Sequence, residues 1–147
     1  MIDLSALIRS AIIADPLASD IANYSGSKAV FTRRPAPSDA PYPMVFVSPQ
    51  IPGAILDYVD GDLRREVVYD ILVYGKNDAS ANYRQAEKIG FALAKKFARP
   101  SRNIITLPAG YSMVGIRGTN MQVAPTDDLN IVGRLISVTF TIQETGL

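Results

Sequence analysis

The chain has 147 residues, of which 48% are hydrophobic and 20% charged, and its formal net charge at pH 7 is +1. It contains no cysteine and no histidine, which excludes disulfides and Cys-type zinc sites and removes the commonest general base. The small net charge offers no broad attraction for nucleic acid or for an anionic membrane. This composition favours one folded domain over residues 1–147, and it favours a structural protein over an enzyme.

The N-terminal sequence carries no sign of secretion or membrane insertion. Residues 1–10 lack a basic start followed by an unbroken apolar run, so we expect no signal peptide. No stretch of about 18 apolar residues suggests a transmembrane helix. We therefore expect a protein without a membrane partner.

Two helices are predicted at the start of the chain. Asp3 can cap the first, whose apolar side chains recur at the i, i+3, i+4, i+7, i+8 spacing of one buried stripe. Asp15 can cap a second, short helix that begins with Pro16 and turns Leu17 and Ile21 inward. The stripe of the first helix consists of Leu4, Leu7, Ile8, Ala11 and Ile12.

The middle of the chain predicts strands joined by a stiff connector and a long hairpin. A short strand at 29–33 precedes the segment 34–43, in which four prolines forbid regular hydrogen bonding. An apolar strand at 44–48 follows. Strands at 53–59 and 63–74 flank Asp60-Gly61-Asp62, whose Asp-Gly step is a strong signal for a hairpin turn. The second hairpin strand is apolar on one face and partly apolar on the other, so both faces can be covered.

The last third predicts one long helix and two strands. Asp78 can cap a helix at 79–98, and Arg99-Pro100 ends it because the residue before proline resists the helical conformation. Strands are predicted at 111–123 and 131–144, joined by 124–130; the second alternates apolar and polar residues. The order of elements indicates an α+β fold, with a mainly antiparallel sheet, long hairpins and helices packed on one face.

No group of residues predicts a catalytic, cofactor or metal site. Asp57, Asp60 and Asp62 do not have the spacing of a calcium loop, and turn geometry explains such acids. The same interpretation applies to Asp127 and Asp128. The glycines at 110, 115, 118 and 133 do not form a phosphate-binding loop and are typical of bends and bulges in strands.

The densest basic run is Lys95-Lys96 followed by Arg99 and Arg102. It is typical of a solvated helix end, where cations complement the helix dipole. Direct nucleic-acid recognition is the weaker alternative, because no aromatic residues are interleaved with the basic ones.

Apolar residues in the connectors suggest surfaces that another subunit covers. Ile51 and Ile55 surround Pro52-Gly53, and Ile104, Ile105 and Leu107 precede Pro108. Each of these residues is equally compatible with being tucked beneath a loop. Together with a long hairpin, they indicate a protein that assembles.

Several motifs and their order along the chain resemble the tail-completion, or tail-terminator, proteins of long-tailed bacteriophages, prophages and gene transfer agents. The resemblance covers nearly the whole chain. It rests on Leu4-x-x-Leu-Ile-x-x-x-Ile12 with Ala14-Asp-Pro-Leu17, on Ala36-Pro-Ser-Asp-Ala-Pro-Tyr-Pro-Met-Val-Phe-Val47, on Tyr69-Asp-Ile-Leu-Val-Tyr74 before the helix Ala81 to Phe97, and on Arg134-Leu-Ile-Ser-Val-Thr-Phe140.

The resemblance implies a virion protein that forms a ring, typically a hexamer, at the head-proximal end of the tail tube after assembly in the host cytoplasm. Such a ring ends tube polymerisation and docks the head connector, and DNA passes through it without specific recognition. The resemblance implies no catalytic residues and no cofactor. Loops 51–63 and 118–130 then become the regions that contact other subunits. The candidate interface residues are Ile51, Ile55, Asp57, Tyr58, Arg64, Arg65, Met121, Asp127 and Asp128.

Two other interpretations remain open from the sequence. The first is a head–tail joining (neck) protein or a tail-tube protein, since the motifs are also compatible with these. The second, from a different class, is a small-molecule or nucleic-acid binding module that uses the sheet face and the basic run from Lys95 to Arg102.

Overall fold

The computed structural model describes residues 2–33, 36–59, 62–76, 82–98, 104–126 and 128–145, with the backbone alone at 52–59, 62, 82 and 83. Helix α1 spans Ser5–Ala14, a 3-10 helix spans Pro16–Asp20, and helix α2 spans Asn82–Ala98. The strands are β1 Asn23–Tyr24, β2 Ser27–Lys28, β3 Val30–Phe31, β4 Met44–Val47, β5 Ile51–Val59, β6 Asp62–Lys76, β7 Tyr111–Gly118, β8 Gln122–Ala124 and β9 Ile131–Glu144.

Seven strands form one sheet, in the order β3-β4-β6-β9-β7. Strand β5 also pairs with β6, and β8 also pairs with β9. Every pair is antiparallel except β3 with β4. Strands β6 and β9 pair from Leu63 opposite Glu144 to Lys76 opposite Ile131. The predicted α+β fold with a mainly antiparallel sheet and long hairpins is confirmed.

Both helices pack on one face of this sheet, which we call the helix face. Its centre is a set of buried cross-strand pairs: Val67 with Phe140, Tyr69 with Val138, and Ile71 with Ile136. The Phe140 ring packs edge-on against Tyr69 at 6.0 Å and against Phe97 of α2 at 6.3 Å. These contacts place α2 over the same apolar surface that receives α1, so the prediction of helices on one face is also confirmed.

The two N-terminal helices lie where the sequence predicts, but the N-cap residue of the first is Leu4 and not Asp3, because the Asp3 carboxylate bonds the first helical N–H from one position further out. Asp3 Oδ1 accepts a hydrogen bond from the Ser5 backbone N–H at 2.9 Å, and α1 starts at Ser5. Asp15 Oδ1 accepts from the Leu17 N–H at 3.0 Å, with Pro16 in the first turn of the following helix. That second helix is a 3-10 helix, and it leads into the β1–β2 ribbon, which the sequence did not predict.

The opposite face of the sheet, which we call the open face, carries a row of aromatic side chains at one end. The ring centroids of Tyr24, Phe31, Phe46 and Tyr74 follow one another at 5.8, 5.6 and 5.9 Å. Phe46 is buried, and Tyr74 is partly buried. Strand β4 is therefore apolar on both faces, as its unbroken run of hydrophobic residues indicates.

The predicted strand at 111–123 is wrong in one respect, because the structure divides it into β7 and β8. The division follows Gly118, where an added Cβ would lie 3.2 Å from the Phe97 carbonyl oxygen. After this close approach to α2, Met121 reaches the helix at Gly90. Strand β8 then rejoins β9 at Gly133, where an added Cβ would lie 2.9 Å from the Ala124 carbonyl oxygen.

Ion pairs attach α2 to the elements around it. Lys96 Nζ lies 2.7 Å from Asp15 Oδ2, and Arg134 Nη2 of β9 lies 2.6 Å from Glu87 Oε1. Burial by itself would raise the pKa of Asp15, but the hydrogen bond and charge of Lys96, with the Leu17 N–H, outweigh burial and lower it.

A lowered pKa in the folded state predicts a stability contribution that is present above the unfolded pKa of about 3.9 and lost as the pH falls through the folded value. Asp15→Asn keeps a side chain that can cap the helix but removes the charge. We expect the variant to lose less stability than the wild type between neutral and acidic pH, measured by urea denaturation. Lys96→Met should flatten the profile in the same way, and profiles parallel to the wild type would contradict the assignment.

Candidate assembly interface

The β5–β6 hairpin carries six of the nine predicted interface residues. Its antiparallel register runs from Ile51 opposite Val68 to Val59 opposite Asp62, with two irregularities between Pro52 and Asp57. The side chain of Ile51 is 42% exposed. Along the backbone, Ile55 lies opposite Arg65, Asp57 opposite Arg64, and Tyr58 opposite Leu63. The side chains of Ile55, Asp57 and Tyr58, and the whole of Asp60 and Gly61, lie outside the described parts of the structure.

Arg64 and Arg65, both predicted interface residues, are adjacent in the sequence, but the sheet separates their side chains. Successive residues of a strand point to opposite faces. Arg64 Nε donates to Gln143 Oε1 at 3.1 Å on the open face. Arg65 Nε lies 3.3 Å from Glu144 Oε1, and both of these side chains are largely buried. Only Arg64 therefore lies on a surface that a partner can reach directly.

The connection between β7 and β9 contains the other predicted residues. Met121 is half-buried and packs over α2 at Gly90. Asp128 is exposed, and its Oδ1 accepts from the Asn130 N–H at 2.9 Å, which stabilises the turn before β9. Asp127 lies outside the described residues. Two apolar side chains near them are exposed, Val123 at 74% and Leu129 at 96%.

The apolar residues of the connectors differ in how deeply the structure buries them. Ile105 is buried, and Ile104 and Leu107 are partly buried and pack against the core. Because they pack against the core, the interpretation as a subunit surface does not hold for them. It remains a prediction for Ile51, which is exposed, and for Ile55, whose side chain lies outside the described parts of the structure.

Within the described part of the basic run at the end of α2, the two lysines do not share one charged surface. Lys96 turns toward Asp15, whereas Lys95 is exposed. Arg99 and Arg102 lie outside the described residues. Both lysines belong to the last turn of α2, where cations complement the partial negative charge of the helix end.

Sequence reasoning missed an exposed aromatic residue on α2. Phe91 is 61% exposed, although its neighbours Gly90 and Ala92 are buried or half-buried. The spacing of residues along the helix indicates that Phe91 is exposed. It lies three residues after Lys88 and four before Lys95, on the polar stripe of the helix.

The open face also holds a groove between its strands and the two connecting segments. One cavity of about 450 Å³ lies over Leu72 and Leu135, with Pro49 and Pro125 at its sides. A second, of about 550 Å³, adjoins it at Tyr74 and Pro125. In the first cavity Asp70 Oδ1 accepts a short hydrogen bond from Ser137 Oγ, and Asp70 N–H donates to Ser48 Oγ at 2.9 Å.

The most deeply buried polar network is structural. The Tyr69 hydroxyl accepts from the Leu4 N–H at 2.7 Å and lies 3.0 Å from Asp3 Oδ1 and 2.6 Å from Gln50 Oε1. Burial raises the pKa of Tyr69 above its ordinary value, and the hydrogen bond and charge of Asp3 raise it further. The hydroxyl therefore stays protonated and fastens the start of α1 to β6.

The described residues contain neither a candidate metal site nor a candidate membrane-spanning helix. No three His, Cys, Asp or Glu side chains in that part of the chain are grouped so that they could hold a metal ion. Among the helices as described, none has the length and apolar character needed to cross a bilayer.

Comparison with known proteins shows a likeness in fold. No protein-family model matches the chain, and no curated protein matches it in sequence. Among solved structures, the chain is similar to a chain of the "Virion of native gene transfer agent (GTA) particle", with a TM-score of 0.64 and 18% sequence identity. The superposition covers 98% of this chain and 96% of that chain. The two chains share one fold from end to end.

Proposed function

We propose that this chain is a structural, non-enzymatic component of a phage-like virion. The observation that carries the proposal is the fold shared with a chain of a gene transfer agent particle over 98% of this chain and 96% of that one. The exposed apolar side chains of Ile51, Val123 and Leu129 add surfaces suited to assembly.

Within the virion, we propose the role of tail terminator. Six copies form a ring at the head-proximal end of the tail tube, end tube polymerisation and dock the head connector. The ring closes by head-to-tail contacts, which leave its two faces different. The loops 51–63 and 118–130 contact the tube or the connector, and polymerisation stops because the second face cannot accept a tube subunit.

The described charges of the open face are compatible with a ring that DNA must cross. Arg117 Nη2 lies 3.6 Å from Glu66 Oε1, and Arg64 is hydrogen-bonded to Gln143. Paired cations bind phosphate less strongly than an unbroken basic lining, which would trap the DNA backbone. We propose that DNA passes through without specific recognition.

Electron microscopy and native mass measurement of the purified protein, alone and with tail tubes, test this role. We expect single rings, or monomers that become rings on tube ends, and tubes of fixed length. Long stacks formed by the pure protein would assign it to the tube, and binding between connector and head would assign it to the neck. A monomer that never joins tail parts and binds DNA with a steep salt dependence would replace the proposal by a nucleic-acid binding module.

Ile51→Asp should weaken this assembly while leaving the subunit folded. The side chain is 42% exposed in the monomer, so a carboxylate costs little there, but it would be desolvated in a subunit contact. We expect a loss of tube capping of at least tenfold, measured by counting capped tube ends against protein concentration. Ile51→Leu is the matched control and should cap normally. If Ile51→Asp caps tubes as well as the wild type does, β5 does not belong to the interface.

A further inference from the structure

The outward stripe of α2 combines positive charge with an exposed aromatic ring. Arg84, Lys88, Phe91 and Lys95 follow the i, i+4, i+7, i+11 spacing of one helix face, and all four are exposed. Lys88 pairs with Asp20 at 3.3 Å, yet its side chain remains 72% exposed. The ring of Phe91 thus projects between cations, about 4.5 Å along the helix axis from one lysine and about 6 Å from the other. We call these four residues the basic stripe.

The groove on the open face has the opposite character. Its two adjoining cavities, of about 450 and 550 Å³, share Tyr74 and Pro125. Leu72 and Leu135 form an apolar floor. Among the described residues that line it, the charged ones are Asp70 and Asp128, both carboxylates. We call it the acidic groove.

We propose that the basic stripe of one copy docks in the acidic groove of a second copy. Phe91 enters the cavity over Leu72 and Leu135 and packs against Tyr74, while the flanking lysines approach the carboxylates. The two surfaces are complementary. The stripe exposes an aromatic ring that water hydrates poorly, and the described residues that line the groove include two carboxylates and no cation.

The contact is heterologous, because the stripe lies on the helix side of the sheet and the groove on the open face. Such a contact repeats from copy to copy and closes into a ring when the rotation allows it. The inference rests on the proposed ring and specifies its lateral contact. It leaves loop 51–63, and the residues of 118–130 that do not line the groove, for the axial partners.

The absence of natural cysteine makes this contact testable by cross-linking. Phe91→Cys would be combined with Pro125→Cys, at the exposed rim of the groove, and treated with a short bismaleimide in the assembled state. We expect covalent oligomers up to the ring size. The matched control combines Phe91→Cys with Thr141→Cys, on the same open face outside the groove. Equal cross-linking by the two double variants would overturn the inference.

A second measurement does not require cysteine. Phe91→Ala should weaken association between copies at least tenfold in sedimentation velocity, whereas Phe91→Leu should retain most of it. If copies still form rings on tubes, but Phe91→Ala has no effect on association, the docking contact is wrong while the ring proposal stands. If the protein binds DNA and Phe91→Ala abolishes this binding while rings remain intact, the stripe binds nucleic acid and the inference is again overturned. If the copies do not associate at all, even on tubes, the proposed function itself is wrong.

Discussion

Phe140→Ala should lower the free energy of unfolding by about 3–5 kcal/mol, the range for truncating a buried phenylalanine. Phe140 is fully buried at the point where both long strands meet α2, and its ring contacts those of Tyr69 and Phe97 edge-on. Removing the ring leaves a cavity between sheet and helix that neither side can close, because each is fixed by its own backbone hydrogen bonds. Urea denaturation followed by circular dichroism gives the value directly.

Phe91→Ala is the matched control for this experiment. It removes the same side chain from a position that is 61% exposed, so we expect a change in stability of less than about 0.5 kcal/mol in the monomer. Similar losses in the two variants would show that the packing of α2 on the sheet differs from the one described. The pair also separates folding from assembly, since the same Phe91 variant is expected to impair association.

Tyr69→Phe should lower the free energy of unfolding by about 1–3 kcal/mol, the penalty for a buried polar group left without a partner. The substitution keeps the ring in the core but removes the oxygen that accepts from the Leu4 N–H. It also removes a partner of Asp3 and Gln50. We expect hydrogen exchange to accelerate first in α1, because that helix loses its attachment to β6, with the stability loss measured again in urea.

Tyr24→Phe supplies the comparison for Tyr69. Its hydroxyl donates to Asp39 Oδ1 at 2.9 Å in an exposed place, where water can replace the lost bond. We expect a loss of less than about 1 kcal/mol and no selective exchange in α1. If the two variants behaved alike, the buried network would have no special role in holding the N-terminal helix.

Elements with a regular pattern could be predicted from the sequence. The stripe of α1, the carboxylate cap at Asp15 and the alternation in β9 appear as expected, whereas the N-cap of α1 is Leu4 and not the predicted Asp3. Each depends on residues close in sequence, which backbone geometry brings together without help from the rest of the chain. The β1–β2 ribbon was missed because two-residue strands are too short to show any period.

Features that depend on distant residues could not be predicted. The split between β7 and β8 follows from a contact between Gly118 and α2, and the network at Tyr69 joins residues 65 positions apart. The separation of Arg64 from Arg65 was available in principle, because neighbours on a strand face opposite ways. The acidic groove forms between three segments that are distant in the sequence. No local pattern of residues predicts how these segments come together.

Gly133 has a consequence for how this surface can vary. Any methyl group there would press on the Ala124 carbonyl and on the Tyr74 ring at once, at 2.9 and 3.2 Å from its carbon. Because Tyr74 and Pro125 border both cavities, a side chain at position 133 would lift the short β8 edge and reshape the groove beside it. The surface that would receive a neighbouring molecule thus depends on the absence of a side chain at position 133. Substitutions at the rim of the groove would be tolerated, whereas a substitution of Gly133 would not.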